Sequence, residues 1–109
     1  MGVDLTLGVM DWEDDKTAYC FSRLNLERRR ELWPEINGKP LGKKVSGYFK
    51  DNYGEITEDC YGGKITYLEA GELLELKNHE SVRDNFTNRA IWAYLAELPA
   101  DHKIILYWS

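Results

Sequence analysis

Two histidines, two cysteines, a run of three arginines and a knot of four acids are the residues of this chain best equipped for chemistry. His79 falls in a short link between two amphipathic segments, and His102 stands between Asp101 and an apolar run. A Ser–His–Asp or Cys–His arrangement needs its base within hydrogen-bond reach of a nucleophile. No nucleophile-elbow pattern accompanies either histidine, so both are expected to be solvent-facing or capping residues, and no catalytic residue is assigned. A metal site needs several converging ligands. The chain has no HExxH, and no histidine lies at helical spacing from another histidine or a cysteine. Asp51-Asn52-Tyr53-Gly54-Glu55-Ile56 resembles a calcium loop only until Gly54 is aligned with the loop glycine. Phe49 and Cys60 then occupy positions where carboxylates are required. The glycine pairs Gly38/Gly42 and Gly62/Gly63 lack the spacing of a phosphate loop. No metal and no cofactor is expected. Cys20 and Cys60, without CxxC spacing, read as reduced, buried small hydrophobes.

What remains is binding, and two stretches invite it. Asp11, Glu13, Asp14 and Asp15 crowd around Trp12 in a chain that carries four Trp and seven Tyr. Trp and Tyr are enriched among the residues that dominate protein interfaces. This points to a small acidic non-enzymatic interaction protein that binds and occludes a partner macromolecule, in the manner of an inhibitor, an immunity-type protein or a viral antagonist of host defence. That comparison rests on size and charge alone. The residues assigned to the protein partner are Trp12, Asp11, Glu13, Asp14, Asp15 and Trp108.

The second stretch is basic. From Arg23 to Lys50 there are eight basic residues against three acidic ones, a net of +5, which leaves −10 to the rest of a chain of net −5. Arg23, Arg28, Arg29, Lys43 and Lys44 are therefore the alternative site, for a nucleotide-like anion held by guanidinium forks and lysines. Successive arginines on a helix fan over about 200°, and Glu27 and Glu31 stand at pairing distance from them. A homo-oligomer would enlarge the room such a ligand needs. The acidic total argues against tracking along nucleic acid. An enzyme is the last of the three readings.

The elements that must position these residues follow from hydropathy. Val3, Leu5, Leu7 and Val9 alternate with Asp4, Thr6, Gly8 and Met10, a half-buried strand, and Thr17 to Leu24 returns as its hairpin partner. Tyr19, Phe21 and Arg23 are expected beside Asp4 and Thr6 as a shallow polar–aromatic surface. Asn25 reads as the N-cap of a helix running to Trp33, before Pro34. Leu41 to Tyr53 has helical spacing, though Gly42 and Gly47 weaken it by about 1 kcal/mol each. Ile56 to Leu68 reads as two β-like segments about a Gly62-Gly63 turn. Thr66 with Glu69 opens a helix to Lys77, and Ser81 with Asp84 opens the last one. The apolar stripe of that last helix is too wide for a single neighbour. Lys103 to Trp108 is a strand with five consecutive apolar residues, expected beside the first strand at mid-sheet. Tyr107 and Trp108 point to opposite faces, one into the core and one onto the Asp4 surface.

The expectation is one α+β domain over residues 1–109, with a mostly antiparallel sheet and helices mainly on one face. No apolar run reaches the ~18 residues of a membrane span, and no secretory leader is visible. The chain is therefore expected to be soluble and cytoplasmic, with no membrane partner.

Overall fold

A computed structural model describes residues 5–27, 38–49, 52–79 and 82–109, with the side chains of residues 21, 48, 49 and 52–54 excepted. The fold is α+β. Strands β1 (Leu5–Glu13), β2 (Thr17–Leu26), β3 (Lys39–Pro40), β4 (Lys44–Phe49), β5 (Asn52–Ile56), β6 (Thr66–Glu69) and β7 (Lys103–Trp108) form one sheet in the order β3-β6-β7-β1-β2-β4-β5. Every neighbouring pair is antiparallel except β2 with β4, which makes the sheet mixed. Between β6 and β7 the chain forms α1 (Ala70–Leu74), a 3₁₀ turn (Glu75–Asn78) and α2 (Phe86–Ala96).

The apolar run of β7 is explained by two cores. Ile104 and Leu106 join Leu5, Leu7 and Val9 of β1, Leu68 of β6, and Leu73, Ile91, Trp92 and Leu95 of the helices. Ile105 and Tyr107, one residue out of phase, join Met10, Ala18, Cys20, Leu41, Val45 and Ile65. Successive strand residues point to opposite faces, so a strand with a core on each side has no polar position to spare. Leu5 pairs with Trp108 and Val9 with Ile104, which sets β7 beside β1 as expected.

Several expectations are overturned. Leu41 to Tyr53, where it is described, is not a helix but the loop before β4, then β4 itself and the start of β5. Gly42 adopts φ 72°, a turn conformation that L side chains rarely adopt. Val45, wholly buried, is held in register between Ala18 and Ile56. Non-local pairing outweighs the local periodicity. Asn25 caps no helix. It lies in β2 opposite Thr6, whose hydroxyl donates to its side-chain oxygen at 3.0 Å. The expected helix beyond Glu27, with Arg28 and Arg29, lies outside the described residues.

Gly62-Gly63 does not join paired strands. β5 and β6 sit on opposite sides of the sheet, and the loop between them is pinched by one bridge, Glu58 with Lys64. Asp59 organises that loop by accepting from the amides of Tyr61 (2.8 Å) and Gly63 (3.0 Å). Thr66 stays in β6, and the capping residue of α1 is Glu69, whose N–H donates to the Glu72 carboxylate at 3.2 Å. The cap of α2 is Asn85, which accepts from the Asn88 amide at 2.9 Å, while Ser81 lies outside the described residues. Both cysteines are free. Cys20 is buried as expected, with burial pushing its thiol up to about 12, but Cys60 is exposed.

Candidate functional site

The β1–β2 turn is built by one of its acids. The Asp14 carboxylate accepts from the Lys16 amide (2.9 Å) and the Thr17 amide (2.8 Å), and the Asp14 N–H donates to the Thr17 carbonyl at 2.9 Å. An Asp side chain bound to the backbone just beyond it is a standard device for closing a turn. The same two amides, Lys16 first, hold its carboxyl below the usual aspartate range. With Asp15-Lys16 at the tip, Glu13 falls opposite Ala18 and Trp12 opposite Tyr19.

Two irregularities decide which way these side chains point. The register steps from Val9↔Ser22 to Met10↔Cys20 to Trp12↔Tyr19, leaving Phe21 and Asp11 as extra residues. Such bulges re-aim the residues around them. Met10, Ala18 and Cys20 turn into the second core. Trp12 and Tyr19 turn to the other face, where their rings stack with centroids 4.1 Å apart and planes 13° from parallel. The pairing continues across the sheet, because Tyr19 lies opposite Ser46 and Ser46 opposite Glu55. Glu55 in turn binds Lys44 at 2.8 Å.

This row lies on the same face as the helix-covered core. Among the described side chains, none of β4 or β5 belongs to that core. The stack therefore lies open, with Trp12 54% exposed.

The acids around it are dispersed. Glu13 turns to the opposite face, where its two oxygens take Lys103 (2.9 Å) and Lys43 (2.8 Å). Hydrogen bonds from Lys103 and then Lys43 lower its pKa, and the Glu13 hydrogen bond raises that of Lys103. Asp14 is committed to the turn. Asp11 and Asp15 remain exposed beside Trp12. Trp108 is half-buried against the helix-side core opposite Leu5, seven residues along β1 from Trp12, or roughly 23 Å at ~3.3 Å per residue. The structure thus separates Glu13, Asp14 and Trp108 from Trp12, and leaves Asp11 and Asp15 exposed on the same hairpin.

The expected polar–aromatic surface around Asp4 also fails where it is described. Thr6 is buried, Tyr107 is wholly buried, and the bulge sends Tyr19 to the other side. Of the basic set, Lys43 faces Glu13 and Lys44 faces Glu55, Arg23 is exposed on β2, and Arg28 and Arg29 lie outside the described residues. No anion site assembles among the described residues.

His102 sets a ring nitrogen 2.6 Å from the Met10 carbonyl, at the edge of the β1 bulge, and His79 is exposed. Cys60 lies with its sulfur 3.3 Å from the Tyr107 hydroxyl, while its N–H donates to the Trp108 carbonyl at 3.1 Å. Among the described residues, no three His, Cys, Asp or Glu side chains gather as metal ligands, and no helix is long and apolar enough to cross a membrane.

Ser46 and Glu55 were missed by reasoning from sequence, and Tyr19 was expected on the other face, beside Thr6. The pairing of Tyr19 with Trp12 had a signal. Both stand equally far from an Asp15-Lys16 tip, and hairpin arithmetic alone makes them partners. Ser46 and Glu55 had none, because a parallel β2–β4 pair leaves no local trace. No protein-family model, no curated protein and no solved structure matches the chain, so it is the open Trp12–Tyr19 stack that identifies this surface.

Proposed function

We propose that this chain is a protein-binding module that occludes part of a partner macromolecule, and that the open end of the β1–β2 hairpin is its contact surface. The observation that carries this reading is a Trp ring more than half exposed yet stacked on Tyr19. An exposed indole that is already held in place loses little freedom on binding, and such pre-organised aromatics are the usual anchors of protein interfaces. Polar groups for the edge of such a contact are at hand in the exposed Asp11 and Asp15 of the same hairpin and in the Lys44–Glu55 pair on the neighbouring strands.

Charge plays a smaller part than the acidic sequence implies, because Glu13 is neutralised by two lysines on the far face. Binding through this surface should therefore depend only weakly on ionic strength. The nucleotide-binding alternative draws no support from Lys43 and Lys44, each already engaged by a carboxylate.

The test compares partners captured from a cell extract by the wild type, by Trp12→Ala and by a variant with Asp11 and Asp15 both changed to Lys. Trp12→Ala should lose the specific partner while still unfolding cooperatively, with its thermal midpoint lowered by no more than a few degrees, and the charge variant should retain most of the binding. An unchanged partner set with Trp12→Ala would remove the ring from the site.

A further inference from the structure

The helix α2 presents an apolar stripe to solvent. Its buried face is Asn88, Ile91, Trp92 and Leu95. Diametrically opposite, at 100° per residue, stand Phe86, Ala90, Ala93 and Glu97, flanked by Arg89 and Tyr94. All six are exposed, Phe86 at 78% and Tyr94 at 40%. The outward face of an amphipathic helix is ordinarily its charged face. Here Phe86 alone leaves roughly 150 Å² of ring in water. This accounts for the width of the apolar pattern in the sequence, half of which the described residues leave uncovered.

We infer that this stripe is where two copies of the chain meet, α2 against α2, antiparallel about a two-fold axis between Ala90 and Ala93. The stripe is complementary to itself in shape and in charge only in that arrangement. The two alanines let the axes approach closely at the centre. Phe86 of each copy then rests on Ala93 and the aliphatic stem of the other copy's Glu97, and Tyr94 rests on the other copy's Ala90.

The charges agree. The cation of the stripe, Arg89, lies in the N-terminal half and its anion, Glu97, just past the C-terminal end. The antiparallel pair brings each Arg89 within reach of the other copy's Glu97, whereas a parallel pair sets like charge beside like. Among the described residues Arg89 is held by Asp84, at 3.0 Å with side chains 61% and 86% exposed, a solvated pair that exchanges at little cost. The isologous contact is also the commonest solution for a soluble homodimer. One short helix face on each side falls below the ~1,200 Å² of a standard stable interface, so the dimer is weak and depends on concentration.

Sedimentation velocity on the full chain from micromolar to millimolar concentration tests this, with circular dichroism confirming that each variant is folded. The wild type should shift reversibly toward a dimer. Phe86→Asp should raise the dissociation constant by more than about tenfold, as loss of an aromatic anchor does. Arg89→Glu and Glu97→Arg should each weaken the dimer a few-fold, and the double variant should recover it. Trp12→Ala should leave it unchanged, which separates this inference from the hairpin reading. A chain that stays monomeric throughout, or a dimer indifferent to Phe86→Asp, overturns the inference. Failure of the double variant to recover overturns the antiparallel register.

Discussion

Along β1, one end of a single strand is sealed and the other lies open. Leu5 and Leu7 are wholly buried and Val9 nearly so, packed beneath α1 and α2 with Ile104 and Leu106 beside them. Three residues beyond Val9, past the bulge at Asp11, Trp12 lies on the same side of the sheet with more than half its surface in water. Packing and capping hold the sealed end. A self-satisfied turn, a ring stack and a few ion pairs hold the open one. In so small a fold this separation lets the proposed contact surface change without endangering the core, because the residues that make each are almost disjoint.

Substitutions can break that contrast or sharpen it. The largest effect is expected from Ile104→Asp, which sets a carboxylate in the helix-side core. Its burial cost is comparable with the whole stability of a domain, about 5–15 kcal/mol, so circular dichroism should show no cooperative thermal transition. Asn88→Ala comes next. This fully buried amide accepts from the Glu27 N–H (3.0 Å) and donates to the carbonyls of Glu27 (2.7 Å) and Arg83 (2.8 Å), tying the end of β2 to α2. Leaving such groups unmatched should cost about 2–4 kcal/mol in urea denaturation.

Glu13→Gln acts on the opposite face and through pH. The folded pKa of Glu13 lies below its ordinary 4.5, so its contribution is present above that value and is lost as pH falls through the folded pKa. A plot of thermal midpoint against pH should have a shallower acid limb for Glu13→Gln. The difference should stay below about 1 kcal/mol, since the carboxylate is 29% exposed and the lysines are partly solvated. Trp12→Ala should be the mildest, about 1 kcal/mol or less, the worth of an exposed aromatic pair. A loss as large as that of Asn88→Ala would show that the open end is part of the scaffold and undo the contrast.

What the sequence made legible was whatever a local pattern encodes. The alternation of β1, the bounds of β7 and its place beside β1 follow from hydropathy, and so does the excess apolar width of α2. The open surface was half legible. Trp12 stood out by type, but its acidic neighbours misled, because adjacency along a chain says nothing about which lysines arrive from elsewhere. Lys43 and Lys103 reach Glu13 across 30 and 90 positions. The β4 strand was misread because Leu41, Val45 and Tyr48 keep helical spacing by chance, while the pairing of Val45 with Ala18 comes from a parallel neighbour. The one-residue bulges moved Tyr19 to the opposite face while Arg23, opposite Gly8, kept the Thr6 side expected of it, and strict alternation cannot foresee such a step.

The two-sided burial of β7 also has a consequence in time. β6 and β3 reach the rest of the sheet only through β7, and both cores wait on its side chains, Ile104 and Leu106 on one side and Ile105 and Tyr107 on the other. Until Lys103–Trp108 docks, there are two disconnected ribbons, β1-β2-β4-β5 and β3-β6, each with an uncovered apolar face and unpaired edges. Joining them takes a long-range event between residues about a hundred positions apart, and topologies rich in such contacts fold in the slow, milliseconds-to-seconds class. During that wait the exposed edges of β1 and β6 are the places where a second chain could pair by mistake.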